Sequence, residues 1–378
     1  MEIIRGKFSE AKVFADDMET YAGAQLRMIC DDPVSERSMI RVMPDVHLGK
    51  VGTIGLTMTV GKRIIPNLLG IDIGCGMTCA VIKEKRMEPQ KLDKVIRECI
   101  PSGFGIRKKI HHMAEDFSPE KLLCCRHIYQ EKAYLSLGTL GGGNHFIEID
   151  RDEEGKLYVI IHTGSRYLGK EVTDYYVNTG AKLLKEKDME VPYPMTWLEG
   201  KVMEDYIADV SAVQDYAQLN REIILSEILK GMRWKETDRF SSVHNYIDIL
   251  TEGTISNEIR ILRKGAISAK SGERVIIPVN MRDGVILGIG KGNPDWNESA
   301  PHGSGRRMRR DEVKNLYTIS AFRNEMKGIY CSCIGADTLD EAPFAYRPID
   351  SLLENIKDTV EVTHILKPIY NFKAGGNA

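Results

Sequence analysis

Residues 196–232, TWLEGKVMEDYIADVSAVQDYAQLNREIILSEILKGM, set the helical half of the fold. Ile223, Ile224, Ile228 and Leu229 recur there at helical spacing, which predicts a long helix with one face on the core. PQKLDKVIRECI, residues 89–100, reads as a shorter helix. Between such stretches lie β-branched runs bounded by Gly, Asn, Asp or Pro: TIGLTMTV (53–60), TCAVI (78–82), HFIEI (145–149), LYVII (157–161), RVIIPV (274–279) and DGVILGIG (283–290). Each predicts a strand. The combination predicts an α+β fold, with mixed or antiparallel sheets flanked by helices. No internal repeat, low-complexity segment or Pro/Ser-rich linker interrupts the chain, so the expectation is one large domain over residues 1–378.

Hydrophobic residues make up 42% of the 378 and charged residues 28%, the composition of a folded, water-soluble chain. No apolar run approaches the ~20 residues that span a bilayer, and MEIIRGKFSEAKVFADD is too charged for a signal peptide. A cytoplasmic location without membrane contact is expected. Fifty-two basic residues against 54 acidic ones leave a net charge of -2, so any nucleic-acid surface must be local. The eight cysteines lack the dense spacing of a secreted disulfide scaffold and read mostly as buried thiols. Cys124/Cys125 and Cys331/Cys333 also lack C-x-x-C spacing and receive no role.

Candidate chemistry lies in glycine-rich segments. Asp72 and Cys75 sit in GIDIGCG (70–76), where a tight turn brings a carboxylate and a thiol toward one point. Alone, the segment reads better as a glycine turn with a buried Cys and a capping Asp. Three further segments each add a histidine: His145 in GNH, His162 in IHTGSR and His244 in VHN. One carboxylate, one thiolate and three neutral imidazoles are enough to hold two divalent ions with the thiolate bridging, a layout that aligns phosphates for displacement. His111, His112, His127 and His364 read as structural. In PHGSGRRMRR (301–310), His302, Arg306 and Arg310 fall at i, i+4 and i+8. This predicts a helix begun by His302, with the three side chains on one face and phosphate at its N-terminus. A neutral histidine there is a candidate nucleophile. The bland alternative is a solvated basic helix start. The chain has no G-x-x-x-x-G-K-[ST], and GIGKGN (288–293) does not fit G-x-G-x-x-G.

Taken together and in order, MPDVHLGK, GIDIGCGM, GGGNHFIEI, HTGSR, VHN, HGSGR and DEAPFAY resemble the RtcB family of RNA-splicing and repair ligases, from about Arg41 to Lys373. The resemblance implies two manganese ions, with Cys75 bridging, Asp72 and His145 completing one shell, and His162 and His244 the other. It implies that GTP guanylylates His302, and that Asn144, Glu148, Tyr346 and Lys373 contact the nucleotide while Arg306 and Arg310 hold phosphates. Asp45 matches a catalytic residue near the incoming 5'-hydroxyl RNA end. The implied substrates are broken tRNA or rRNA, with a 2',3'-cyclic phosphate opened to a 3'-phosphate that takes the GMP before sealing. Alternation along NHFIE predicts Asn144, Phe146 and Glu148 on one face and His145 on the other.

The chain departs from the family pattern at Val279-Asn280-Met281-Arg282-Asp283, which replaces a Gly-Ser-Met-Gly-like turn, and at Val285, where a hydroxyl side chain is common. Asn280 is expected to hydrogen-bond phosphate in place of that turn. Val51, Pro301 and Ser304 also vary, marking an outlying branch of the family with a dedicated substrate. Three other readings stay open: a guanylyltransferase that caps 3'-phosphate ends without sealing, a two-metal phosphoesterase, and a non-catalytic RNA-binding module. Cys and His ligands favour zinc over manganese on the Irving–Williams order, so manganese rests on the resemblance alone. A monomer is expected.

Overall fold

The computed structural model describes residues 1–251 and 258–374. It contains two large sheets. The six-stranded sheet runs Glu2–Arg5, Glu10–Val13, Ile40–His47, Ile54–Thr59, Glu258–Lys264, Asn245–Thr251 from edge to edge. It is mixed, because Glu10–Val13 and Ile40–His47 pair in parallel. The seven-stranded sheet runs Glu236–Val243, Gly76–Ile82, Leu157–Thr163, Phe146–Arg151, Val360–Lys373, Gly284–Gly290, Arg274–Asn280, with every pairing antiparallel. All six predicted runs fall in strands, and the fold is α+β as expected.

The seven-stranded sheet curls until its edges meet. The amide of Ile276 donates to Ser242 Oγ at 3.0 Å, and Arg274 pairs with Asp238 across the gap. Strand alternation then separates an inside from an outside. Met77, Cys79, Phe146, Ile160, Ile276 and Val285 fill the inside of the curl. Ile147, Ile149, Val159 and Ile161 face outward, against Ile224, Leu225 and Ile228 of the long helix and Leu92 and Ile96 of the Pro89–Cys99 helix. Each fully buried aliphatic side chain there contributes roughly 2 kcal/mol.

The long helix spans Gly200–Met232, four residues later than the predicted start. Leu198–Glu199 is instead taken up in an antiparallel pair with Arg63–Ile64, and Trp197 lies under the Arg63 guanidinium at 4.1 Å. The helix bridges two cores: Tyr206, Val210 and Tyr216 join the cluster that also holds Val42 and Leu56 of the six-stranded sheet, whereas Ile224 and Ile228 join the outer face of the curl. Between the sheets the chain crosses through residues 60–75, again at His244, and a third time around Gly265.

Candidate active site

Those crossings carry much of the site. Asp72 and Cys75 lie in the loop between the Pro66–Leu69 helix and the Gly76–Ile82 strand. Gly74 has φ +72, and a Cβ there would lie 2.9 Å from the Gln214 backbone on the long helix, so the loop needs glycine to lie this close. His244 is the residue at which the chain leaves one sheet for the other; its amide donates to the Cys75 carbonyl at 2.9 Å. His145 immediately precedes one strand, and His162 lies near the end of its neighbour.

All five expected ligands converge. Cys75 Sγ is 3.5 Å from His145 Nε2 and 3.4 Å from His162 Nε2. His162 Nε2 is 3.4 Å from His244 Nε2, and His145 Nε2 is 3.0 Å from Asp72 Oδ2. Cys75 belongs to both ligand groups, one with His162 and His244 and one with Asp72 and His145, each with donor atoms within 4.8 Å of one another. His145 Nδ1 lies 3.0 Å from the Leu140 carbonyl and His162 Nδ1 3.2 Å from that of Asn144. A carbonyl only accepts, so Nδ1 carries the proton and each Nε2 presents a lone pair toward Cys75.

This donor set fits a divalent metal. Burial, then neighbouring histidines, push His162 and His244 well below the ordinary imidazole value, so both are neutral. Burial and the Asp72 charge push the Cys75 thiol far up, so its ionisation calls for a cation beside it. His244 Nδ1 is buried without a hydrogen-bond partner. The other four histidines singled out from the sequence belong to neither group: His111 faces Glu227 at 3.1 Å, beside His112, while His127 stacks on Tyr175 and His364 is exposed beside Thr363.

His302 does not begin a helix. It follows the Ser299–Pro301 strand, which pairs with Ala266–Ser268, and the next helix is Arg310–Leu316. Gly305 at φ +76 and the packing of Gly303 and Gly305 against Pro278 and Asp45 keep residues 302–309 as a loop. The helical-face argument for His302, Arg306 and Arg310 is therefore wrong, and so is the proposed helix N-terminus. The partner of His302 is Asp45, which the resemblance gives as a second catalytic residue, near the incoming RNA end: Asp45 Oδ2 accepts from His302 Nδ1 at 2.6 Å and from its amide at 3.2 Å. The His302 ring centroid is 4.9 Å from that of His244.

A cavity of about 500 Å³ opens beside His302. Asn144, Glu148, Asn280, Arg306, Arg310, Tyr346 and Lys373 all line it, as do Phe146 and His162. At its cationic end the organiser is Glu341, a buried carboxylate that the sequence reading passed over. Lys373 Nζ lies 2.6 Å from Glu341 Oε2, the Tyr346 hydroxyl donates to the same oxygen at 2.6 Å, and Arg306 and Arg310 reach Oε1. Burial opposes Glu341 ionisation, but Lys373, Arg310 and Arg306 outweigh it and hold the carboxyl at about 2. Glu148 accepts from Asn371, and burial raises both Glu148 and its strand neighbour Asp150. Asn280 lines the cavity with its amide already engaged: it donates to Asp283 Oδ2 at 2.8 Å and accepts from the amides of Arg282 and Asp283 at 3.0 Å. Val285 is buried inside the curl.

The family model described as tRNA-splicing ligase RtcB matches residues 25–125 and 119–374. The chain belongs to the RtcB family. It is 30% identical to the RNA-splicing ligase RtcB of Escherichia coli K12, covering 87% of this chain and 88% of that protein. It is 28% identical to the tRNA-splicing ligase RtcB of Nanoarchaeum equitans, over 86% and 84% of the two chains. To the RNA-splicing ligase RtcB2 of a second Escherichia coli strain it is 25% identical, over 96% and 95%. Such distances place it as a divergent paralogue within the RtcB family.

Arg221 and Arg166, also overlooked in the sequence, support the ligand loops of this RtcB site. Arg221 is fully buried on the long helix and donates from Nη1 to the carbonyls of Gly74 at 2.9 Å and Thr163 at 3.0 Å. A signal for it existed, since Arg221, Ile224 and Ile228 fall at i, i+3 and i+7 on the apolar face. Arg166 reaches the Gly103 carbonyl at 3.3 Å and passes 3.4 Å from His145 Nδ1.

Proposed function

We propose that this RtcB-family protein is an RNA ligase that joins a 2',3'-cyclic phosphate or 3'-phosphate RNA end to a 5'-hydroxyl end, using GTP and two Mn(II) ions. The observation that carries the reading is the junction of two halves at one histidine. His302 lies between the five-ligand cluster and a cavity whose far end holds three cations.

Asp45 accepts the Nδ1 proton of His302 and leaves Nε2 as the nucleophile. In the proposed first step Nε2 bonds to the α-phosphorus of GTP and the bond to pyrophosphate breaks. Arg306 and Arg310 hold phosphate oxygens, and Lys373, Tyr346, Asn144 and Glu148 contact the nucleoside. When bound, the ions held by Asp72, Cys75, His145, His162 and His244 offset charge developing on the phosphates. GMP then passes from His302 to the RNA 3'-phosphate, and the 5'-hydroxyl displaces it. Broken tRNA or rRNA is the proposed substrate, and a cytoplasmic monomer the proposed form; no helix among the described residues is long and apolar enough to cross a membrane.

The test is incubation with manganese and α-labelled GTP, beside His302→Ala, followed by a search for acid-labile label on the protein. Label on the wild type and none on His302→Ala is expected. No label on the wild type with any divalent ion would sink the GTP reading.

A further inference from the structure

Cys331 and Cys333 received no role from their spacing, yet the fold sets them against each other and against the cavity wall. Their Sγ atoms are 3.2 Å apart, and Cys333 Sγ accepts the backbone N–H of Lys373 at 3.2 Å. Both thiols are free and half-buried, which leaves them open to small solutes.

The loop that carries them is fastened at several points. The Tyr330 amide donates to the Ile369 carbonyl at 3.1 Å and the Tyr330 carbonyl accepts from the Asn371 amide at 3.0 Å. Ser332 binds Asp93 and accepts from Arg97 Nη2 at 2.7 Å, while Thr338 Oγ1 donates to the Cys333 carbonyl at 2.6 Å. The 360–373 strand on which this loop rests delivers Asn371 to Glu148 and Lys373 to Glu341, both inside the cavity. The thiol loop is thus hydrogen-bonded to the same stretch of backbone that carries two cavity side chains.

We propose that Cys331 and Cys333 are a redox-active dithiol whose oxidation to a disulfide weakens nucleotide binding in the adjoining cavity. The second clause rests on the nucleotide reading above. The hydrogen bond from Cys331 holds the Cys333 thiol below its ordinary value against the opposing effect of burial, and the Lys373 amide adds to it. Cys333 is therefore the attacking sulfur. With a hydroperoxide as oxidant, the Cys333 thiolate takes the terminal oxygen as the O–O bond breaks, giving a sulfenic acid and the corresponding alcohol or water. Cys331 then attacks that sulfur, the S–S bond forms and water leaves. The two sulfurs together lose two electrons, which the peroxide gains. Closing the pair to the ~2 Å of a disulfide moves the sulfurs by about 1 Å relative to each other, and the small ring makes the bond easy to reduce again.

The experiment equilibrates the full-length protein in glutathione buffers of graded ratio, quenches it by acid and alkylation, and maps tryptic peptide 328–357, which contains both cysteines and no other. A parallel sample is titrated with a fluorescent GTP analogue. The expected results are a peptide lighter by two hydrogens in oxidising buffer, GTP-analogue affinity lowered on the order of five- to tenfold, recovery with dithiothreitol, and neither effect in Cys331→Ser. Absence of the lighter peptide at every ratio overturns the dithiol. A disulfide that forms with affinity unchanged, or changed equally in Cys331→Ser, overturns its coupling to the cavity. If the reduced protein does not bind the analogue at all, the nucleotide reading and the coupling fall together, while the peptide map still decides the dithiol.

Discussion

At one end of the site Cys75, His145, His162 and His244 crowd four soft donors together, with Asp72 at the rim. At the other, Arg306, Arg310 and Lys373 converge on Glu341, with Asp340 beside Arg310. The first end has lone pairs facing one another and calls for a cation; the second has cations beyond what its carboxylates offset and calls for an anion. His302 stands between them. The difference teaches that each end is incomplete without its own kind of ligand, a cation at one and an anion at the other, the complementarity that the proposed reaction on phosphates would use.

Removing the shared donor tests the first end most severely. Cys75→Ala takes a ligand from both groups, so loss of both bound ions is expected by metal analysis, whereas His244→Ala should leave the Asp72, Cys75 and His145 group able to hold one. Equal metal content in the two variants would break the distinction between a shared and a private ligand.

The middle is next. Asp45→Asn preserves size but presents an amide to His302 Nδ1, and guanylylation of His302 should slow on the order of 10³-fold through the wrong tautomer. A loss below tenfold in a labelling time course would show that Asp45 only packs there.

At the cationic end the expected effect is on stability. Because the folded Glu341 carboxyl is depressed to about 2, the stability it contributes is full above the ordinary Glu value of about 4.3. It is lost as pH falls from there toward the folded value. Glu341→Gln should cost about 3 kcal/mol at neutral pH and flatten the dependence of urea midpoint on pH over that acid window. An unchanged slope would mean that the three cations do not depend on this carboxylate. The smallest effect belongs to Asn280→Ala, about 1 kcal/mol from the lost turn hydrogen bonds, with GTP-analogue affinity nearly unchanged. A large loss of affinity instead would give that amide the phosphate contact expected from its position.

The two ends also differ in how far the sequence discloses them. The metal end was legible because Cys, His and Asp in glycine turns are few, and each turn reads locally as a place where a side chain is exposed to a common point. The strands and the long helix were legible for the same local reason, their periodicity. What was not legible depended on pairing at a distance. His302 and Asp45 are joined by tertiary packing of a loop, whereas the i, i+4 spacing of Arg306 and Arg310 suggests a helix that Gly303 and Gly305 disfavour. Glu341 lay unnoticed within the motif DEAPFAY, since nothing local tells that three cations from separate segments will meet it.

His244 gives the architecture a mechanical side. Asp72 and Cys75 lie on one passage of the chain between the sheets, His244 on another, and Gly265, whose amide donates to the His244 carbonyl at 2.7 Å, on the third. An ion held by Cys75 and His244 would act as a rivet through the seam, closing long loops of chain in a single event. Stripping such an ion would therefore loosen the joint between two otherwise intact sheets, and the alignment of His302 with the cavity would be lost before either sheet had melted.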